Sequence, residues 1–393
     1  MARLILRKNI TNIFYSSLFH SNFFRFYSTY PSSPSKIKIK SNSDQIYDFR
    51  SDTVTKPTDE MFDIMRNASR GDDVYNEDES TYELETYIAE LTGHETALFA
   101  PSGTMTNQIA IRAHLSTPPH SVLCDFRSHI YNYEAGGIAY HSRASVTPLI
   151  PSNKLFLTCS EIESELITTD DNHYAPTRVI SLENTLHGLL FPLNEIQKIS
   201  KLAKKTNIKL HLDGARLWNA CAETGLSLQK FTENFDSISI CLSKGIGAPI
   251  GSVLVGNKEF IKTAKHLRKL FGGGWRQCGS LAAAAKYAII SNFPDNLKKS
   301  HLLTKTLSNE LLNLGIHVTL PVHTNMIFID TKSINITTRE LANRLASHNI
   351  LISGNNSTTT RLVLHYQIPP ISIEKFIDVV ANIIKEKIFL KKL

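Results

Sequence analysis

The residues best suited to chemistry in this sequence are Lys244 and Asp213. Lys244 follows a short apolar run and opens a glycine-rich loop, and Asp213 ends another apolar run 31 residues earlier. A lysine can form a Schiff base with an aldehyde, and a buried aspartate can hold a protonated pyridine nitrogen. The two together predict pyridoxal phosphate chemistry, although a lone lysine in a glycine turn is far more often an ordinary surface residue.

The elements around these residues follow the alternating pattern of an α/β fold. Short apolar strands alternate with helices, which predicts a mainly parallel sheet. Five successive strands end in polar or glycine clusters, at Ser102, Gly103 and Thr104, at His129, at Glu183 and Asn184, at Asp213, and at Lys244. Consecutive parallel strands point the same way, and ligands bind beyond their carboxyl ends. We therefore expect all five clusters to share one edge of the sheet.

Each cluster is suited to one part of the cofactor. Ser102, Gly103 and Thr104 lie at a strand-to-helix turn, where free backbone N–H groups can hold a phosphate, although such a turn is often only a helix cap. His129 could stack on the ring or transfer protons, but a lone histidine is more often structural. A buried Asp213 needs a cationic partner, which could be Arg216 or a pyridinium.

Two further residues could bind the carboxylate of a substrate. Arg361 lies at the start of a predicted strand near the C terminus and could hold a carboxylate with both arms of its guanidinium. Ser51 lies in an arm that precedes the first helix. The alternatives are a surface salt bridge for Arg361 and a turn serine for Ser51.

The sequence pattern changes near Asn292-Phe-Pro-Asp295. We predict a transit peptide and linker over residues 1–45, an arm and large cofactor-binding domain over 46–295, and a smaller C-terminal α+β domain over 296–393.

The positive net charge of +7 comes from the N-terminal segment. Residues 1–43 contain seven basic and no acidic residues, so the rest of the chain has 36 of each. A leader rich in arginine, serine and aromatic residues is typical of mitochondrial import, which predicts the matrix as the location, with the cytoplasm as the alternative. Because the remaining chain is neutral, we expect no nucleic-acid partner. Polar residues interrupt the apolar ones of the leader, so we expect no membrane partner either.

The five cysteines are scattered and include no C-x-x-C pair. This spacing predicts neither a disulfide framework nor a metal site.

Motifs along most of the chain resemble those of the low-specificity L-threonine aldolases, from about Asp48 to Tyr366. They include Asp48-Phe-Arg-Ser-Asp-Thr-Val-Thr-Lys-Pro57, Gly71-Asp-Asp-Val-Tyr75, Pro101-Ser-Gly-Thr104, Glu134-Ala-Gly-Gly137, Ser181-Leu-Glu-Asn-Thr185, Leu212-Asp-Gly-Ala-Arg216, Leu242-Ser-Lys-Gly245 and Gly272-Gly-Gly-Trp-Arg-Gln277. The resemblance implies the aspartate-aminotransferase-like fold of pyridoxal phosphate enzymes, a large domain and a smaller one.

The resemblance also implies a role for each matching residue. Lys244 would carry the cofactor as a Schiff base, Asp213 would hold the pyridine nitrogen, and His129 would stack on the ring. The carboxylate of the amino acid would be bound by Ser51, Arg216 and Arg361. Arg276 would help to hold the phosphate of a neighbouring subunit, and Lys269 would lie near the active site.

The activity implied by the resemblance is retro-aldol cleavage of L-threonine or L-allo-threonine to glycine and acetaldehyde. This reaction would serve threonine catabolism and glycine biosynthesis, in a homo-oligomer (a dimer or tetramer). The alternatives are a β-eliminating lyase, a serine hydroxymethyltransferase-like enzyme, or a binding protein without activity.

The sequence departs from the family pattern at one position. Many relatives have Glu-Asn-Thr-His, whereas this chain has Glu183-Asn-Thr-Leu-His187. Leu186 occupies the place of the usual histidine, and His187 follows one residue later. The sequence therefore leaves open which group deprotonates the β-hydroxyl and which diastereomer of threonine is preferred.

Overall fold

A seven-stranded sheet positions the predicted site. The protein is described here by a computed structural model covering residues 45–390, with side chains through residue 387. The predicted transit peptide lies outside the described residues and stays a prediction.

The large sheet has the strand order β2-β8-β7-β6-β5-β3-β4. Its strands, in chain order, are β2 (Thr96–Ala100), β3 (Ser121–Asp125), β4 (Ser145–Leu149), β5 (Thr177–Glu183), β6 (Lys209–Gly214), β7 (Ser237–Cys241) and β8 (Ser252–Gly256). Strands β4, β3, β5, β6 and β7 pair in parallel, and β8 is antiparallel to both β7 and β2. Strand β2 therefore points the same way as the parallel strands, which confirms the mainly parallel sheet and the shared edge.

Helices lie around this sheet and continue to the C terminus. They are α1 (Asp59–Asn67), α2 (Glu79–Thr92), α3 (Gly103–His114), α4 (His129–Asn132), α5 (Gly137–Ser142), α6 (Cys159–Glu165), α7 (Leu193–Lys205), α8 (Leu217–Thr224), α9 (Leu228–Thr232), α10 (Lys258–Leu270), α11 (Gly279–Asn292), α12 (Asp295–Asn313), α13 (Thr338–Ala346) and α14 (Ile371–Leu390). No helix among residues 45–390 is long and apolar enough to cross a membrane.

Local sequence explains where these helices begin and end. The Asp78 side chain accepts the N–H of Thr81 at the start of α2. Gly93 ends the same helix with a φ of +69°, a left-handed conformation that glycine adopts without a steric penalty. These two signals set the limits of α2.

Residues beyond α11 form a second sheet and a second apolar core. Strands β9 (His317–Val318), β10 (Met326–Asp330) and β12 (Thr359–Val363) are antiparallel, and β1 (Tyr47–Asp48) pairs in parallel with β11 (Ile350–Leu351). The arm is thus attached to the C-terminal part of the chain. The domain boundary expected at residue 295 stays a prediction.

Strand β12 begins at Thr359, two residues before Arg361, the residue predicted to start this strand. Its ladder with β10 ends at the pair Met326–Val363. Beyond that pair the chain turns, because Tyr366 packs against Gly247 of the lysine loop and Gln367 bonds to the backbone of Lys56 in the arm.

Candidate active site

The first turn of α3 offers an anion site at the shared edge of the sheet. The Ser102 hydroxyl caps the helix and accepts the N–H of Met105 at 3.2 Å. In the described part of the chain, the N–H groups of Gly103 and Thr104 donate to no acceptor. Free N–H groups and the helix dipole at the start of a 12-residue helix favour a bound phosphate.

Asp213 lies at the end of β6 with 3% of its surface exposed. One carboxylate oxygen accepts the N–H of Ala215 at 3.0 Å, and the other accepts the side-chain amide of Asn107 at 2.8 Å. A carboxylate has more lone pairs than these two donors use. Asp213 can therefore accept a further hydrogen bond from a protonated ring nitrogen.

His129 begins α4, and acidic groups hold it in place. Its Nδ1 donates to Glu134 at 2.9 Å, and its backbone N–H donates to Glu183 at 2.8 Å. Burial lowers the pKa of His129, but the bond to Glu134 and the charges of Asp213 and Glu183 outweigh burial, so the pKa is raised. Burial and the charge of Asp213 in turn raise the pKa of Glu183.

Ligand atoms of His129, Glu134 and Asp213 lie within 4.8 Å of one another. That spacing suits a metal ion as well as a hydrogen-bonded cluster. Because Nδ1 of His129 is bonded to Glu134 and Asn107 bridges both acids, the cluster is already satisfied by hydrogen bonds. The expectation of no metal site stays a prediction.

Lys244 lies in the loop after β7 and is partly buried. Its amine has no hydrogen bond or ion pair within residues 45–387. Its charge helps to lower the pKa of Asp52 and partly opposes the rise in the pKa of Glu183. The loop is shaped by Gly247, which has a φ of +83°. A Cβ there would lie 2.6 Å from the ring and hydroxyl of Tyr366, so only glycine fits.

Arg216 is held by Asp52, a residue of the arm. Its Nε and Nη2 donate to the two oxygens of Asp52 at 2.8 and 2.6 Å, and Asn325 also donates to Asp52 at 3.2 Å. Burial opposes the charged form of both partners. The pair nevertheless lowers the pKa of Asp52 to about 2 and raises that of Arg216.

Arg361 lies on β12 beside this pair, since its charge helps to lower the pKa of Asp52. The family resemblance assigns Arg216 and Arg361 to the same carboxylate. In the structure two nitrogens of Arg216 are occupied by Asp52. The Ser51 hydroxyl accepts the N–H and the hydroxyl of Thr53 at 3.2 and 2.8 Å.

The turn after β5 separates Leu186 from His187. Leu186 is buried among apolar side chains and bridges to Leu189. His187 has a φ of +54°, and its ring lies 5.3 Å from the ring of Phe328. Burial and the charges of Arg127, Arg361 and Arg216 lower its pKa to about 3. His187 therefore lies within reach of the charges of these arginines.

Arg276 and Lys269 are exposed on the surface of the same chain. Half of the Arg276 side chain is accessible, and it pairs with Asp72 at 3.4 Å. No contact within residues 45–387 brings Arg276 to the cluster around Lys244. Its predicted role toward a neighbouring subunit stays a prediction.

Sequence reasoning missed three residues of the site. Asp52 and Glu134 lie inside motifs that carry the family resemblance. Asp52 directly follows Ser51, and Glu134 lies five positions after His129. Asn107 lies four residues after Gly103 and carried no signal of its own. Its importance follows only from the packing of α3 on the sheet.

The chain matches known proteins over most of its length. The family model of beta-eliminating lyases matches residues 48–333. The chain belongs to the beta-eliminating lyase family. A probable low-specificity L-threonine aldolase of Schizosaccharomyces pombe is 46% identical over 340 residues, 86% of this chain and 88% of the relative.

Two further comparisons agree with this family. The low-specificity L-threonine aldolase of Saccharomyces cerevisiae is 46% identical over 329 residues, 84% of each chain. A solved structure of the Leishmania major threonine aldolase superposes with a TM-score of 0.72 at 22% identity, covering 86% of this chain and 99% of that one. These similarities confirm the resemblance and the α/β fold expected from the sequence.

The residues at the sheet edge fit pyridoxal phosphate. The free N–H groups of Gly103 and Thr104 suit its phosphate, the open lone pairs of Asp213 suit its ring nitrogen, and the unpaired amine of Lys244 suits its aldehyde. His129 lies close to Asp213, where an imidazole can stack on a ring. Each group of the cofactor thus has a partner of the right chemistry.

Proposed function

We propose that this protein is a pyridoxal phosphate-dependent enzyme that cleaves L-threonine and L-allo-threonine to glycine and acetaldehyde. The observation that carries the proposal is the shared edge of the sheet, where the unpaired amine of Lys244 and the carboxylate of Asp213 follow neighbouring parallel strands. Family membership narrows the chemistry to that of a lyase, and the two yeast relatives indicate threonine as the substrate. When bound, the cofactor withdraws electrons from the α-carbon of the amino acid, the carbon from which the aldehyde departs.

Residues of this chain bind and orient the substrate. Arg361 would hold the carboxylate in a forked pair, and Ser51 would add a hydroxyl contact. Asp52 fixes the guanidinium plane of Arg216 beside that position. Correct orientation of the breaking bond can supply roughly 7–11 kcal/mol of the barrier reduction. The arm and β12 are therefore part of the proposed catalytic machinery.

His187 is our candidate for the group that accepts the β-hydroxyl proton. A base must be neutral, and His187 is neutral at pH 7 because burial and three nearby guanidinium groups lower its pKa. A bound substrate carboxylate would offset part of that positive charge and make His187 a stronger base. Leu186 has no group that accepts a proton.

The proposal is tested by assaying purified protein with pyridoxal phosphate for acetaldehyde released from each threonine diastereomer. Lys244→Ala should lose turnover and the visible absorbance of the bound cofactor. Lys262→Ala, an exposed lysine of α10, is the matched control and should keep both. Full activity of Lys244→Ala would refute the mechanism.

The same preparation separates the alternatives. Pyruvate formed from serine would support a β-eliminating lyase, and folate-dependent glycine formation would support a hydroxymethyltransferase. A protein that binds the cofactor and releases none of these products would be a binding protein.

We also propose that the enzyme is a homotetramer in the mitochondrial matrix. Exposed Tyr140 and Leu270 support an interface, because their segments adjoin one another through the contact of His141 with Phe271. The basic leader supports import. Sedimentation velocity would test the first point, and a single-chain mass would refute it. A fluorescent fusion of residues 1–40 would test the second, and diffuse cytosolic signal would refute it.

A further inference from the structure

A buried line of polar side chains runs behind Asp213. Asn107 on α3 contacts both Asp213 and Glu134, and its amide oxygen lies 3.1 Å from Nε2 of His211. Nδ1 of His211 lies 2.8 Å from the hydroxyl of Ser237, which lies 2.7 Å from Nε2 of His114. Among these, Asn107 is 1% exposed, and His211 and Ser237 are fully buried.

The sheet explains why these groups meet. His211 and Asp213 are two residues apart on β6, so their side chains lie on the same face. Ser237 of the neighbouring strand β7 is in register with His211. Helix α3 covers that face and places Asn107 between Asp213 and His211.

The direction of each hydrogen bond follows from the two acids. Carboxylates accept and do not donate, so the amide nitrogen of Asn107 must face Asp213 and Glu134. Its amide oxygen then faces His211 and requires a proton on Nε2. Burial lowers the pKa of His211 to about 4, so the ring is neutral at pH 7 and Nδ1 can only accept, from Ser237. The Ser237 hydroxyl must in turn accept from His114.

In every hydrogen bond of this line, the acceptor is therefore the group nearer to Asp213. We propose that Asn107 and His211 are positioning residues that hold the carboxylate of Asp213 oriented toward the ring nitrogen of pyridoxal phosphate. Neither residue is needed to touch the substrate. The two acids fix the rotamer of Asn107, and that rotamer fixes the tautomer of His211.

The inference rests on the proposed function only in taking pyridoxal phosphate as the ligand, so its test measures cofactor binding and histidine tautomers and no cleavage. The full-length protein is titrated with pyridoxal phosphate, and the dissociation constant is read from the visible absorbance. Loss of a hydrogen bond that supports a charged group typically weakens binding roughly 10- to 150-fold. We expect a loss of that size for His211→Leu.

Two variants separate positioning from a general packing defect. In His211→Gln the side-chain amide can donate where Nε2–H does, so it should keep cofactor affinity close to that of the parent protein. His120→Gln changes another buried histidine, which bonds to the backbone of Ser142 and is not connected to Asp213. It should leave the affinity and the absorbance unchanged.

The tautomer can be read in the unmodified holoenzyme by nitrogen NMR of labelled histidine, so the inference survives a variant that does not fold. We expect His211 to carry its proton on Nε2. A proton on Nδ1 in the parent protein would overturn the inference. Unchanged cofactor affinity in folded His211→Leu would overturn it as well.

Discussion

The buried pair of Asp52 and Arg216 gives the sharpest prediction. Asp52→Asn keeps the shape of the side chain and removes its charge. The Arg216 side chain is only 11% exposed, so its charge would remain buried without a counter-ion. Breaking a buried pair by removing one partner costs about 3–5 kcal/mol.

The pKa of Asp52 gives an independent magnitude. One pKa unit is equivalent to about 1.4 kcal/mol, so lowering the pKa of Asp52 from 3.8 to about 2 corresponds to roughly 2–3 kcal/mol of stability. Because an amide can still accept a bond from the guanidinium, we expect Asp52→Asn to lower the free energy of unfolding by about 3 kcal/mol.

The pH dependence of this loss has a definite sign. A carboxyl group whose pKa is lowered by folding stabilises the native state above its unfolded pKa, about 3.9, and the stabilisation disappears as pH falls toward the folded value. The difference in stability between the parent protein and Asp52→Asn should therefore be constant from about pH 5 to pH 8. It should shrink below about pH 4.

Urea unfolding of the cofactor-loaded protein, followed by tryptophan fluorescence, measures the effect. Glu83→Gln is the control, because the Glu83 side chain is 61% exposed in its pair with Lys286 and should contribute less than about 1 kcal/mol. Replacing both partners, as Asp52→Leu with Arg216→Met, should recover much of the lost stability. A loss below about 1 kcal/mol in Asp52→Asn, or a double variant less stable than the single one, would refute the reasoning.

Four further changes test the site. Gly247→Ala should lower stability by more than about 1 kcal/mol in thermal unfolding, because the new methyl group meets Tyr366 and the φ is left-handed; an unchanged melting temperature would contradict this. Glu134→Gln should lower the pKa of His129 measured by NMR, since Glu134 is a main cause of its rise; a higher pKa would count against the assignment. Arg361→Lys should raise KM for threonine roughly tenfold or more because a single ammonium cannot form the forked pair, and an unchanged KM would remove Arg361 from the carboxylate site. His187→Phe should lower kcat about 10²–10⁴-fold if His187 is the base, and parent-like turnover would exclude it.

Much of the site could be predicted from the sequence because its residues follow strands. A strand that alternates with helices must run parallel to its neighbours, so a polar residue after each strand reaches the same edge. Lys244, Asp213 and His129 were found in this way. The resemblance of the motifs then narrowed the reaction, and the family comparisons agree with it.

Contacts between segments far apart in the sequence could not be predicted. Arg216 was expected to bind a cofactor or a substrate, yet 164 residues separate it from Asp52, which takes two of its nitrogens. Nothing in the local sequence of either residue indicates that partner. The pairing depends on the path of the arm, which is fixed by β1 on β11 and by Gln367.

The sequence by itself determined which residues could carry the chemistry, because residue types and the order of the strands along the chain do not depend on packing. Tertiary structure decided how those residues are supported. The rotamer of Asn107 and the tautomer of His211 depend on where α3 lies over β6 and β7. The sequence places a histidine at position 187 and a leucine at the family's usual histidine position, 186. Only the turn after β5, which buries Leu186 and leaves His187 within reach of the charge of Arg361, shows which of the two can take part in the reaction. Hydrogen bonds and charges act over a few ångströms, and only the folded chain brings such groups within that distance.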